Sequence, residues 1–262
     1  MAAGSEAFVV DVFVIGDSIS MQYGPALESG LKDSGLSYAR KGCHAVDSQP
    51  SIAAAIAALH PPDIPPENGG DSAAVAGYLR LLAAKPATVR CRLLLVNAGL
   101  HDIRVPTEQL ACAASDRSHR VGEEDYARNV AAILRAGATI AEHTVWVTTT
   151  PVVDSSHNAE LPGGPGFARF DEDRRRYASL AAEAVAASPG ARAADLAALT
   201  VQAAVGGGAA GLCPPGGSPV ALTAVEASAC GRRLVDHVHW DDAMRAAHGA
   251  ALARVAHEVL RG

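Results

Sequence analysis

The sequence predicts an α/β fold, a doubly wound and mostly parallel sheet between helices, on three observations. Strand-like apolar runs alternate with helix-like segments along the 262 residues, the pattern of βαβ units. The strand-like runs are nearly continuous rather than alternating, as in strands buried on both faces. The two most polar glycine-bearing motifs stand directly after two of those runs, and open α/β sheets gather their ligands at the carboxyl ends of strands.

Phe8 to Ile15 is apolar except for Asp11 and stops at Gly16-Asp17-Ser18, after which a helix-compatible stretch runs to about Lys32. A second run, Arg92 to Val96, ends at Asn97-Ala-Gly-Leu-His-Asp102. A third, Thr144 to Thr150, is rich in β-branched residues and stops at Pro151, where a missing N–H ends a ladder. Helical segments are predicted at about Ser51–Leu59, Ser72–Ala84, Glu123–Ala136, Glu172–Ala187 and Asp241–Leu260. No internal repeat or domain boundary is visible. The chain reads as one domain over residues 1–262, with loop insertions near 60–70, 104–122, 152–170 and 206–232. The first and last of these loops are dense in proline and glycine.

Composition excludes several classes. Hydrophobic residues make up 49% of the chain but aromatics only 4%, so the core is expected to rest on small side chains and closely packed helices. The formal net charge of -6 gives no basic field for nucleic acid. No apolar run approaches the roughly 20 residues that span a bilayer. The amino-terminal apolar stretch lacks a basic n-region and leads into the first motif, so it reads as a core strand, not a signal peptide. Five cysteines (Cys43, Cys91, Cys112, Cys213, Cys230) show no CxxC spacing. A reduced, cytoplasmic or other intracellular setting is the expectation, with a Cys213–Cys230 bridge as the alternative.

Two segments carry nucleophile chemistry. Ser18 lies between a buried strand and a helix start, where amides and the positive dipole end could hold an oxyanion; the plainer reading is a helix cap by Asp17 or Ser18. Near the other end, Val235-Asp-His-Val-His-Trp240 precedes an amphipathic terminal helix. An Asp three residues before a His, in a turn, can reach back to fix the ring's tautomer and stabilise its protonated form. The plainer reading makes Asp236 a turn cap and His239 a surface residue. His237 and His239 could also share a metal, but no third ligand stands at suitable spacing, so none is expected.

In sequence order, FVIGDSIS, PENGGDS, NAGLHD and DHVHW resemble the four blocks of the SGNH (GDSL-like) hydrolases, specifically a subgroup whose third block reads GLHD. They run from residue 13 to 240. The resemblance implies a flavodoxin-like three-layer sandwich and a serine esterase with no cofactor. It makes Ser18 the nucleophile, Asp236 and His239 the rest of a triad, and Ser18 one oxyanion-hole amide. Gly70 would supply the second-block amide, with Gly42 in RKGC as the alternative. Where the family's third block has an asparagine, this chain has His101; a neutral imidazole can donate the same bond, and Asn97 is the other possible donor. The implied substrates are small-molecule or carbohydrate esters with short acyl groups such as acetyl. Two rivals stand beside this reading: an acyltransferase using the same triad, and a non-catalytic module binding an anion at the Ser18 helix.

Asp17 and Asp102 read as capping or supporting groups. His44, His60, His119, His143, His157, His248 and His257 have no recognisable partner. The charge-rich Arg169–Tyr177 segment reads as a solvated helix face with acids early, as the dipole favours.

Overall fold

The computed structural model describes residues 8–49, 53–59, 65–84, 89–158, 166–206, 221–236 and 238–262. In chain order the elements are β1 (Phe8–Ile15), α1 (Ser18–Lys32), β2 (Tyr38–Arg40), α2 (His44–Asp47), α3 (Ala53–Leu59), α4 (Ser72–Ala84), β3 (Val89–Val96) and β4 (Val105–Pro106). These are followed by α5 (Glu123–Ile140), β5 (Ala141–Val147), α6 (Asp154–His157), β6 (Phe167–Ala168), α7 (Asp171–Ala186), β7 (Ala191–Ala194), α8 (Leu196–Ala204), α9 (Ala224–Gly231) and α10 (Asp242–Arg261).

The main sheet has the order β2-β1-β3-β5-β7, every pair parallel. One helical layer packs α1 on α10 and α10 on α8; the other packs α4 on α5 and α5 on α7. The fold is therefore the expected three-layer α/β arrangement. β1 begins and ends where its apolar run does, because both faces are covered: Val12, Phe13, Val14 and Ile15 are fully buried. Its lone polar residue, Asp11, accepts from the backbone N–H and hydroxyl of Ser37 and from Arg92.

Chain order reverses at β1, with β2 on one side and β3 on the other, so the crevice of this sheet opens above the carboxyl ends of β1 and β3. Register makes that crevice specific. Ile15 pairs with Val96, and Asn97 N–H donates to the Ile15 carbonyl, which sets GDS and NAGLHD side by side.

The small-residue core appears where α1 meets α10. A Cβ on Gly249 would stand 2.5 Å from Ala26 Cβ and 2.6 Å from the Leu27 nitrogen. Only a glycine lets the two backbones approach so closely.

Several elements depart from the sequence reading. β5 leaves the ladder at Val147 rather than Thr150, and the Thr148 hydroxyl turns to Asp195, the cap of α8. The sequence reading does not include the edge strands β2 and β7, helix α8 or the small antiparallel pair β4–β6, whose two-residue strands come from distant parts of the chain. Within the loop expected at 206–232, α9 forms behind a capping box of Thr223 and Glu226. Cys43, Cys91, Cys112 and Cys230 are free thiols, while Cys213 lies outside the described residues, as do His60 and His237. Among the described residues no helix is long and apolar enough to cross a membrane.

Candidate functional site

The Gly16-Asp17-Ser18 block is buried apart from Ser18 itself. Asp17 is the N-cap of α1 and accepts from the Ile19 amide at 3.0 Å, and Ser20 donates its hydroxyl to the Asp17 carbonyl. Ser18 is the first residue of α1 and only part-buried. Its N–H is one of the amides a helix leaves unbonded, and nothing among the described residues accepts from it. Gly16 is required by contact: a Cβ there would meet Asn97 Oδ1 at 1.7 Å. Burial pushes the Asp17 carboxyl upward, against a hydrogen bond from the Asn97 side chain, the Ile19 amide, and the charges of Arg169 and His239.

Asp236 and His239 pair in the turn before α10. His239 Nδ1 lies 2.7 Å from Asp236 Oδ2, while Asp236 Oδ1 accepts from the Val238 and His239 amides at 2.8 and 2.7 Å. Burial pushes the Asp236 carboxyl up, but those amides and the imidazole outweigh it and hold it down at about 2. It is thus ionised at neutral pH and can support a protonated ring. The turn is fastened by Val235 N–H to the His239 carbonyl. Trp240 N–H donates to Gln22 Oε1 at 3.2 Å, one turn along α1 from Ser18. The two ends of the chain meet there.

The second and third blocks join the same crevice. Gly69 N–H donates to the Gly16 carbonyl at 2.7 Å. Asp102, fully buried, accepts from the Ser72 amide with both oxygens, 2.9 and 3.1 Å away, so it caps α4 from thirty residues downstream. Gly70 has the left-handed φ of 76° that favours glycine. Its N–H, however, already donates to Asn68 Oδ1 at 2.9 Å, where an outward-facing amide was expected. The Gly42 N–H is likewise taken, by Asp47.

His101 and Asn97 differ. Asn97 is buried beneath Gly16 with its side chain turned to Asp17. His101 is 7% exposed, and no hydrogen bond reaches its ring among the described residues. Burial first, then Arg104, Arg169 and Arg120, depress its pKa to about 2. It is a neutral imidazole at any working pH.

Several buried polar residues escaped the sequence reading. The Arg169–Tyr177 segment is not a solvated face: Arg169 and Arg174 are 3% exposed and Asp173 fully buried. The reason is that α7 turns its first residues inward, where Asp173 meets Arg117 and His119, and Asp171 meets Arg174. Lys41, also buried, donates to the carbonyls of Pro66 and Asn68 and so holds the second block. His248 and His257 also have partners, Thr200 and Ser34. Among the described residues no group of three His, Cys, Asp or Glu is arranged to hold a metal.

The sequence matches no known protein-family profile and no curated protein. Its fold does match solved structures. LAE5, an α/β hydrolase enzyme from the metagenome of Lake Arreo, Spain, aligns at 11% identity and TM-score 0.54 over 97% of this chain and 98% of its own. Axe2, an acetylxylan esterase from Geobacillus stearothermophilus, aligns at 10% identity and TM-score 0.54 over 97% and 96%. A GDSL-like lipase from Bacteroides thetaiotaomicron aligns at 13% identity and TM-score 0.50 over 95% and 88%. At these identities the likeness is one of fold.

Proposed function

We propose that the chain is an SGNH (GDSL-like) hydrolase that cleaves carboxylic esters through an acyl-enzyme on Ser18. The observation that carries this reading is the Asp236–His239 pair at 2.7 Å, fastened through Trp240 to the helix that begins at Ser18. In this mechanism His239 takes the Ser18 hydroxyl proton as Oγ attacks the ester carbonyl, then gives it to the departing alcohol. Water, deprotonated by His239, attacks the acyl-enzyme, and the acid leaves as Ser18 regains its proton. Asp236 holds the ring by Nδ1 and stabilises its cationic form. The oxyanion rests on the Ser18 N–H and on His101, whose neutral, unbonded ring suits a donor; Asn97, turned to Asp17, suits a supporting role. Gly70 joins the hole when the Asn68 side chain releases its N–H. The fold shared with an acetylxylan esterase supports short acyl esters, acetyl on carbohydrate among them.

The test is hydrolysis of a chromogenic acetyl ester by the wild type and Ser18→Ala. Turnover that survives in Ser18→Ala excludes the acyl-enzyme.

A further inference from the structure

Two consecutive cations, Arg40 and Lys41, stand at the carboxyl end of β2. Successive side chains of a strand point to opposite faces of its sheet, and these two follow that rule. Arg40 reaches α1, donating from Nη1 to the Ser20 carbonyl and from Nη2 to the Ser20 hydroxyl, both at 3.1 Å. Lys41 turns to the other helical layer, with Nζ 5.6 Å from the centre of the Tyr78 ring on α4. Yet both reach one loop. Arg40 Nη2 donates to the Glu67 carbonyl at 3.0 Å, and Lys41 Nζ donates to the carbonyls of Pro66 and, at 3.0 Å, Asn68. Three consecutive carbonyls of the second block are thus gripped by two adjacent residues, from both faces of the sheet.

The place of this clasp is informative. Ser20 stands two residues beyond Ser18, whose N–H is one oxyanion donor in the proposed reaction. Gly70 stands two residues beyond Asn68 and carries another, and Gly69 between them donates its N–H to the Gly16 carbonyl at 2.7 Å. A single guanidinium, that of Arg40, therefore spans the two elements that bear the backbone donors. Its planar fork fixes both partners in direction as well as distance, and bonds from a charged donor are the stronger kind. Lys41 is 5% exposed; a buried ammonium is costly unless its hydrogens are used, and it directs two of them to this loop. The grip falls on the backbone of Asn68, not on the side chain that covers the Gly70 N–H, so that side chain can leave while the loop stays.

We propose that Arg40 and Lys41 are positioning residues of the oxyanion hole, setting the Gly70 N–H at its working distance from the Ser18 N–H. They act through the carbonyls of Ser20 and residues 66–68, not on the substrate. The inference rests on the serine-hydrolase reading and deepens it. A displaced donor loses most where charge is greatest, in the transition state, so the cost falls on kcat and not on KM.

The experiment measures kcat and KM for a chromogenic acetyl ester in the wild type, Arg40→Met and Lys41→Met, with Ser18→Ala as background. It also measures the affinity of each for an arylboronic acid, whose tetrahedral adduct on a serine places an oxygen in the hole. Both variants are expected to lower kcat by about tenfold or more, with KM within about twofold of the wild type. Boronate affinity should fall in step with kcat/KM. Arg40 is only half-buried, so Arg40→Met decides the matter if Lys41→Met fails to fold. A kcat unchanged in Arg40→Met, a change confined to KM, or a fall in kcat with wild-type boronate affinity overturns the positioning role and leaves the hydrolase standing. Wild-type turnover no faster than that of Ser18→Ala is the other failure: it removes the hydrolase reading, and the positioning role with it.

Discussion

The two ends of the candidate triad are built by opposite means. Ser18 stands on a strand–helix junction whose neighbours Gly16, Asp17 and Ser20 are buried and whose position follows from β1, α1 and the 1.7 Å constraint at Gly16. Asp236 and His239 sit in a surface turn, their side chains 41% and 32% exposed, positioned by hydrogen bonds among a few adjacent residues and one tie to Gln22. Ser18 is placed by the whole fold, the Asp236–His239 pair by a local motif docked on it. Such a division predicts that changes around the serine disturb the core of the fold together with the chemistry, whereas changes in the turn disturb folding only locally.

The largest effects test that division directly. Ser18→Ala and His239→Ala are each expected to lower kcat roughly ten-thousandfold or more, with the double variant little worse than either single, because groups acting as one unit are not additive. Asp236→Asn should cost less in kcat than loss of the nucleophile. A multiplicative double variant, measured by steady-state kinetics, breaks the idea that the two ends act as one device.

His101 sharpens the comparison from the third block. His101→Ala is expected to lower kcat roughly a hundredfold with little change in KM, since an oxyanion donor acts as charge develops. His101→Asn should retain substantial activity by restoring an amide. If Asn97→Ala instead shows the kinetic loss and His101→Ala does not, the donor has been misassigned.

A smaller effect concerns the helix pair that carries both ends. The extra methyl in Gly249→Ala has no space between α10 and the backbone of α1, so a loss of roughly 1–3 kcal/mol is expected. For a chain of this length that is a fall of several degrees in melting temperature. A melting temperature equal to the wild type would show that the helices separate without cost.

What the sequence disclosed follows the same division. β1 was legible to the residue because continuous burial writes a continuous apolar run, and Asp236–His239 was legible because a turn is local. β7, four residues of which three are alanine, and β2, three residues at an edge, carry too little pattern to stand out. Arg169 was misread for a different reason: it follows β6, which pairs with the distant β4, and its guanidinium reaches the carbonyl of Leu100, sixty-nine positions away. A charge-rich stretch with acids first looks the same whether its helix faces water or a core. The Gly70 amide was misdirected by its neighbour, since an asparagine two residues earlier can satisfy it locally.

A change that leaves the chemistry untouched separates the two regions by their response to pH. Asp102, fully buried against Ser72, is pushed up to about 7, chiefly by burial and further by Asp71, against the bonds from Ser72. Its unfolded value is 3.8, so between these limits the folded chain holds a proton that the unfolded chain has released. Stability from that proton is fully present below about pH 4 and is lost as pH rises through about 7. Asp236 runs the other way: its carboxyl is held at about 2, so its contribution is present above about pH 4 and lost as pH falls through 2. Asp102→Asn cannot titrate, yet keeps one oxygen for the Ser72 amide. The wild-type stability minus that of Asp102→Asn, from urea unfolding at a series of pH values, should therefore fall between pH 4 and 7 by on the order of 4 kcal/mol and then level off. The same subtraction with Asp236→Asn should be flat over that range. A flat Asp102 difference would mean that its bonds to Ser72 already hold the carboxylate ionised, as firmly as the turn holds Asp236.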